Sequence, residues 1–222
     1  MKKNPSNLAA LIDHTMLKAD ASQTALIKLC HEARTHSFYS VCVNPRWLPL
    51  ICKELQNTKV LPITVVGFPL GASLHKSKGL ETEQCLIAGA QEIDMVIDLG
   101  ALKSSSWKEV EADIKGVVGA ANKKPVKVIL ESCLLTDQEI IDACKVTVQA
   151  GAQFVKTSTG FSASGATAHH IRLMRETVGP DFGVKASGGI RNYTVFKEMY
   201  EAGANRIGSS ASVEILREAQ NG

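Results

Sequence analysis

The chain has 222 residues, of which 45% are hydrophobic and 21% charged, and this composition excludes a disordered chain. Lysine and arginine (25) barely exceed aspartate and glutamate (22), and aromatic residues make up only 5%. A net charge of +3 with so few stacking rings argues against a nucleic-acid-binding protein, and it suits a small anionic ligand.

Eight short runs of β-branched and apolar residues are predicted as strands. In chain order they are LAALIDH (8–14), FYSVCVN (38–44), VLPITVVGF (60–68), EIDMVIDL (92–99), VKVILES (126–132), AQFVKTS (152–158), FGVKASG (182–188) and NRIGSS (205–210). Between them, apolar residues recur at helical spacing over 24–33, 78–90, 107–121, 138–150, 169–177 and 193–202. A last helix, SVEILREA, follows the eighth run.

The alternation of strand and helix predicts a parallel sheet, because parallel neighbours need long connections. Eight such units are the number that closes into a (β/α)₈ TIM barrel, so we predict one α/β barrel domain over residues 1–222. A doubly wound open sheet is the alternative, since alternation alone does not reveal closure. In a barrel, functional residues gather where the strands end at their C-terminal side.

Cysteine usage and apolar runs bear on the location of the protein. The six cysteines form no C-x-x-C pair, which favours reduced thiols in the cytoplasm. After the basic start MKKNPSN, Asp13 and His14 interrupt the first apolar run, so no signal-peptide core is expected. No uncharged apolar stretch reaches the roughly 18 residues of a membrane span. The histidines lack metal-ligand spacing, and we expect neither a metal nor a cofactor.

Two lysines stand inside predicted buried strands. Lys156 lies in AQFVKTSTGF and Lys185 in FGVKASGGI, each just before a glycine-bearing loop. A free lysine has a pKa of about 10.4 and is rarely neutral at pH 7, but burial and a second cation lower that pKa. The pair therefore indicates an amine that attacks carbonyl groups, with ion pairing to carboxylates as the structural alternative.

A carboxylate is predicted beside these lysines. Period-two alternation in EIDMVIDL places Asp94, Val96 and Asp98 on one face of a strand. We expect Asp94 to point into the barrel, where it either neutralises the lysines or works as an acid–base group. Lys127, in VKVILES, is expected to belong to the same polar interior in a structural role.

Three loops near the C-terminus are rich in small residues. They are TGFS (159–162), SGG (187–189) and GSS (208–210), and the last opens a helix. Glycine lets backbone N–H groups approach a ligand, and a helix N-terminus favours an anion. Together the loops predict a phosphate site, with ordinary turns as the alternative for each loop alone.

Blocks over nearly the whole chain resemble the deoxyribose-phosphate aldolase family, class I (Schiff-base) aldolases on a TIM barrel. They are IDHTMLK (12–18), SVCVNP (40–45), VVGFPLGA (65–72), EIDMVIDLG (92–100), KVILESCLLT (127–136), FVKTSTGF (154–161), VKASGGIR (184–191) and RIGSS (206–210). VKTSTG followed by VKASGG is the most specific part. The resemblance implies reversible cleavage of 2-deoxy-D-ribose 5-phosphate to D-glyceraldehyde 3-phosphate and acetaldehyde, without metal, in a homo-oligomer.

The resemblance also assigns roles to individual residues. It implies that Lys156 forms the Schiff base and that Lys185 lowers the pKa of Lys156 and joins Asp94 in proton transfer. The phosphate is assigned to Gly188, Gly189, Ser209 and Ser210, with Gly160 nearby. Residues expected to line the pocket are Asp13, Cys42, Lys127 and Thr157.

Two positions depart from the family. Ala211 stands where members often have a second serine, and Phe161 stands where some have lysine, so both bear on phosphate binding. Two other interpretations stay open. One is a sugar-phosphate isomerase barrel in which Lys156 is only a cation, and the other is a non-catalytic sugar-phosphate sensor.

Overall fold

The computed structural model describes residues 7–221, so the basic start at 1–6 lies outside the described residues. Eight parallel strands form a closed barrel in sequence order, and the eighth strand pairs with the first. The predicted (β/α)₈ barrel is confirmed, and the open sheet is excluded. None of the described helices has the length and apolar character needed to cross a membrane.

The strands are shorter than the runs that predicted them. They are β1 (Ile12–Met16), β2 (Ser40–Val43), β3 (Leu61–Val66), β4 (Glu92–Val96), β5 (Val126–Ile129), β6 (Phe154–Lys156), β7 (Gly183–Ser187) and β8 (Arg206–Ser209). The first run was predicted to start at residue 8, but Ala9–Leu11 forms a 3₁₀ turn and pairing begins at Ile12. Leucine and alanine lack the β-branching that favours a strand, which explains the later start.

Nine helices lie among the described residues. They are α1 (Gln23–His36), α2 (Leu48–Glu54), α3 (His75–Ile87), α4 (Leu99–Lys103), α5 (Trp107–Ala120), α6 (Asp137–Gln149), α7 (Ala168–Val178), α8 (Tyr193–Ala202) and α9 (Ser212–Asn221). Sequence periodicity missed α2 and α4, because helices of seven and five residues show too few turns for the period to be recognised.

The fourth strand ends earlier than predicted. β4 stops at Val96, and the side chain of Asp98 accepts a hydrogen bond of 3.0 Å from the backbone N–H of Ala101. Asp98 is therefore the N-cap of α4, because a carboxylate at this position satisfies an N–H that the helix leaves unpaired. The expectation that Asp98 shares the interior face with Asp94 was wrong.

The main core fills the space between the strands and the surrounding helices. In β4, Ile93 and Met95 are fully buried in this core, which leaves Glu92 and Asp94 on the opposite, interior face. A second, smaller apolar cluster comprises Leu17, Cys42, Ile63 and Val65. The barrel interior therefore carries apolar side chains on the side of β2 and β3 and charged side chains on the side of β4 to β8 and β1.

Candidate active site

Lys156, Lys185 and Asp94 meet inside the barrel. Lys156 on β6 lies opposite Lys185 on β7 in the strand register, so both side chains point to the interior. The Nζ atoms of Lys156 and Lys185 lie 2.8 Å and 2.7 Å from the same Oδ2 atom of Asp94. One carboxylate oxygen thus bridges the two amines.

The ion-pair network continues below this carboxylate. Lys127 Nζ lies 2.7 Å from Oδ1 of Asp94 and 2.6 Å from a carboxylate oxygen of Glu92. Arg206 then joins Glu92 to Asp13, with N–O distances of 3.1 Å to each. Glu92 and Arg206 were not singled out from the sequence, although each lies on an interior-facing register position of its strand.

Asp13 closes the network on the side of β1. Its carboxylate forms ion pairs with Lys185 and Arg206 and accepts a hydrogen bond of 2.7 Å from the Ser40 hydroxyl. Like Lys185, it is completely buried. A buried carboxylate is tolerated only when it is paired in this way.

The network contains more basic than acidic groups. The basic side chains are Lys127, Lys156, Lys185 and Arg206, and the acidic side chains are Asp13, Glu92 and Asp94. Among the described residues, Lys156 has Asp94 as its sole ion-pair partner, and Asp94 also serves two other lysines. A neutral Lys156 would balance the charges, because an unpaired buried charge is costly.

The directions of the pKa shifts agree with the excess of basic over acidic groups in the network. Burial lowers the pKa of the Lys156 amine, and repulsion from Lys185 lowers it further against the attraction of Asp94. For Lys185, burial acts in the same direction, but Asp13 and Asp94 outweigh it and raise the pKa. Burial would raise the pKa of Asp94, yet the three lysines hold it well below its ordinary value. Lys156 therefore loses its proton more easily than an ordinary lysine, whereas Lys185 holds its proton more tightly.

A cavity of about 570 Å³ opens above Lys156 at the C-terminal ends of the strands. Residues that line it follow β1, β6, β7 and β8, and they include Lys156, Thr159, Gly160, Phe161, Gly188, Gly189, Ser209 and Ser210. Asp13, Cys42, Lys127 and Thr157, which were expected to line the pocket, are fully buried and are not part of this lining. Asp13, Cys42 and Lys127 lie among the interior side chains that fill the barrel below the strand ends. The Thr157 hydroxyl instead donates to the carbonyl of Ser187 and accepts from its N–H.

One wall of the cavity carries groups that attract an anion. Gly188 and Gly189 have φ values of +83° and +78°, which favour glycine at both positions. Within residues 7–221, the backbone N–H groups of these glycines and of Ser210 donate to no acceptor. Lys18 and Arg191, two cations that sequence reasoning did not single out, also line the cavity.

Ser209 lines the cavity, but its hydroxyl is already hydrogen-bonded within the protein. Its hydroxyl donates to the carbonyl oxygen of Ile190 at 2.7 Å and accepts from the N–H of Ala211 at 2.9 Å. The single hydroxyl hydrogen is therefore already used, and the side chain ties two loops together. Ser210, in contrast, is exposed and lies at the cavity, where its hydroxyl can donate to a ligand.

Phe161 and Cys42 add no charged group to the site. The Phe161 ring lines the cavity and packs edge-on against Phe68 at 5.3 Å, so this wall is apolar where some family members carry lysine. Burial raises the pKa of the Cys42 thiol to about 11, which keeps it protonated at neutral pH. Within the described part of the chain, no three His, Cys, Asp or Glu side chains are grouped to hold a metal ion.

Comparisons with known proteins agree with the geometry. A family model described as "DeoC/LacD family aldolase" matches residues 8–218. The deoxyribose-phosphate aldolase of Bacillus subtilis is 55% identical over 212 residues, covering 95% of each chain. That of Clostridium tetani is 54% identical over 210 residues, covering 94% of this chain and 97% of the relative. The tetrameric deoxyribose phosphate aldolase structure from Aeropyrum pernix superposes with a TM-score of 0.89 at 32% identity, covering 96% and 90%.

Proposed function

This chain belongs to the DeoC/LacD family of aldolases, and from that premise we propose that it cleaves 2-deoxy-D-ribose 5-phosphate reversibly to D-glyceraldehyde 3-phosphate and acetaldehyde. As an aldolase it is a lyase. The observation that carries the mechanism is the position of Lys156, which is the lysine of the interior network that also lines the cavity.

The reaction begins at the Lys156 amine. Its neutral Nζ attacks the aldehyde carbon of the open-chain sugar to form a carbinolamine. A proton given by the Lys185 ammonium then lets one water molecule leave, which gives a protonated imine. When the C3 hydroxyl gives its proton to the Lys185 amine, now neutral, the bond between C2 and C3 breaks and its electron pair moves toward the imine nitrogen. Glyceraldehyde 3-phosphate departs, and an enamine of acetaldehyde remains on Lys156.

The remaining steps need a proton donor and a proton acceptor. Lys185 is held as an ammonium and shares Asp94 Oδ2 with Lys156, so it is placed to return a proton to the enamine. Asp94 stays ionised and stabilises the positive charge that forms on the imine. Addition of water to the resulting protonated imine then releases acetaldehyde and restores the free Lys156 amine. The proton set free in this step returns to Lys185, which is the acceptor as well as the donor.

We assign the phosphate group to the loops after β7 and β8 that line the cavity. Gly188, Gly189 and Ser210 offer backbone N–H groups there, with Gly160 nearby, and Lys18 and Arg191 supply positive charge. Ser209 holds this wall in place through its two hydrogen bonds.

Borohydride reduction tests the proposal. The protein is incubated with acetaldehyde, treated with borohydride, digested and analysed by mass spectrometry. We expect an ethyl group on Lys156 together with loss of cleavage activity. A label at another residue, or turnover that survives the treatment, would favour the isomerase interpretation. Ligand binding without release of acetaldehyde would favour the sensor.

Assembly and location are part of the proposal. The Aeropyrum pernix relative is described as tetrameric, which supports a homo-oligomer for this chain as well. The six cysteines are free thiols, which supports a cytoplasmic location. Sedimentation analysis tests the first expectation, because a monomer at micromolar concentration would contradict it.

A further inference from the structure

A chain of hydrogen bonds outside the reaction centre leads to the candidate phosphate site. It starts at His14, which follows Asp13 on β1 and therefore points out of the barrel, away from the lysines. The imidazole is 2% exposed, with Nε2 lying 2.9 Å from a carboxylate oxygen of Glu32 on α1. Its Nδ1 lies 2.9 Å from the hydroxyl of Ser212 at the start of α9.

The chain continues from Ser212 to the loops that line the cavity. The Ser212 hydroxyl lies 3.0 Å from the carbonyl oxygen of Ser209, and the Ser209 hydroxyl donates to the carbonyl of Ile190 at 2.7 Å. Ser209 and Ile190 both line the cavity, whereas His14 and Ser212 do not. The chain thus links helix α1 to the two turns that carry the free N–H groups.

We propose that His14 is a positioning residue for phosphate binding, acting through Ser212 on the Ser209–Ser210 turn. This inference rests on the proposed function, because it takes that turn as the phosphate site. The N–H of Ser210 lies between the Ser209 carbonyl and Ser212, both of which the chain restrains. Restraint before binding reduces the ordering cost of holding the anion.

The two ring nitrogens of His14 have different partners, so two amide substitutions can distinguish the contribution of each hydrogen bond. In His14→Gln the longer amide reaches toward the position of Nε2, which keeps the bond to Glu32 and removes the bond to Ser212. In His14→Asn the shorter amide lies near the position of Nδ1, which keeps the bond to Ser212 and removes the bond to Glu32. Ser212→Ala removes the same bond as His14→Gln from the other side.

The readout is the ratio of kcat/KM for 2-deoxyribose 5-phosphate to kcat/KM for 2-deoxyribose without phosphate. We expect His14→Gln and Ser212→Ala to lower this ratio about tenfold, which is the effect of one lost hydrogen bond, mainly through KM for the phosphorylated sugar. His14→Asn should lower it less. The His14 ring also hydrogen-bonds the Ser209 backbone directly. The double variant His14→Gln with Ser212→Ala should therefore lower the ratio by less than the product of the two single effects, because both side chains act on the same turn.

His36→Gln is the matched control. His36 packs against the same Phe38 ring as His14, with centroid distances of 5.6 Å and 5.0 Å, but it makes no hydrogen bond to Ser212. The ratio should not change in this variant. A purely structural role for His14 would lower the melting temperature in all His14 variants and leave the ratio constant.

Titration with inorganic phosphate separates this inference from the proposed function. Calorimetry on wild type, Ser212→Ala and the His14 variants measures the phosphate Kd without any catalytic step. Weaker phosphate binding in Ser212→Ala and His14→Gln supports the positioning role, even where borohydride fails to label Lys156. Equal phosphate affinity in wild type and these variants, or a larger loss in His14→Asn than in His14→Gln, would overturn it. If His14→Gln does not fold, Ser212→Ala decides the question.

Discussion

Two buried lysines, Lys78 and Lys156, are ion-paired in different surroundings. Lys78 lies on α3, where its Nζ donates to Asp113 at 2.6 Å and to the carbonyl of Val96 at 3.0 Å. This pair is fully buried and does not line the cavity above the barrel. Lys156 instead shares its one carboxylate with two other cations and reaches the cavity.

The difference between Lys78 and Lys156 shows that a buried lysine is not reactive merely because it is buried. A lysine with its own carboxylate is neutralised as an ion pair, which holds the helix against the barrel. A lysine in a network with surplus positive charge is the group for which losing a proton is least costly. Burial of an amine is therefore not sufficient for imine chemistry, and the surplus of cations together with access to the cavity distinguishes Lys156.

Lys156→Met is expected to have the largest effect on activity. Removing the nucleophile should lower kcat/KM for cleavage by about 10⁴-fold or more. Among the described residues that line the cavity, Lys18 is the one other lysine, and we assign it to the phosphate. Release of acetaldehyde in a coupled assay measures the effect. A loss smaller than about tenfold would show that Lys156 acts only as a cation.

Lys185→Met tests the origin of the reactivity. Without the neighbouring ammonium, the pKa of Lys156 rises, since burial alone then opposes the attraction of Asp94. The fraction of Lys156 that is neutral increases as the pH rises through that pKa. A higher pKa should therefore shift the pH profile of imine formation to higher pH. Loss of the proton donor should also reduce kcat by about 10²- to 10⁴-fold. An unchanged pH profile would contradict the tuning by Lys185.

Lys78→Met tests whether the Lys78–Asp113 ion pair is structural rather than catalytic. This substitution leaves Asp113 buried without its lysine partner. The free energy of unfolding, measured in urea, should therefore fall by about 3–5 kcal/mol. Adding Asp113→Leu should recover most of that loss, because an apolar pair can replace a buried ion pair. The folded fraction should still form the Schiff base on Lys156. Failure to do so at a temperature where the variant is folded would mean that the two regions are coupled.

Gly208→Ala is the mildest test. A Cβ atom at this position of β8 would lie 3.1 Å from Cε of Lys185 and 3.2 Å from Cβ of Ser187, so the Lys185 amine must shift. A shift of this kind should lower kcat several-fold, as catalytic geometry is sensitive to small displacements. Gly116→Ala on α5 is the control, because its Cβ meets nothing within 4 Å and alanine favours a helix. Equal activity of the two variants would count against a fixed Lys185 position.

The barrel and the position of its interior lysines could be predicted from local patterns. Strand–helix alternation repeated eight times predicts the closed sheet, and the period of two in EIDMVIDL places Asp94 inward. The same period places Glu92 inward, and its side chain completes the network with Arg206. These two residues could have been found by extending the alternation to the first residue of each strand.

Other features depend on contacts between distant segments. Asp98 continues the alternation in the sequence, but its N-cap bond to Ala101 takes it out of the strand. The Ser209 hydroxyl could not be assigned from its loop alone, because its acceptor belongs to the loop after β7. The surplus of positive charge likewise appears only when the side chains of six strands are brought into one interior.

The central claim is that Lys156 loses its proton more easily than the lysines beside it. Titration of the protein with ¹³C-labelled lysine, assigned with Lys156→Met, measures this by NMR. The account predicts that the Lys156 resonance titrates below the ordinary lysine pKa of about 10.4 while Lys185 stays protonated through the same range. A Lys156 resonance that stays protonated as long as that of Lys185 would contradict it.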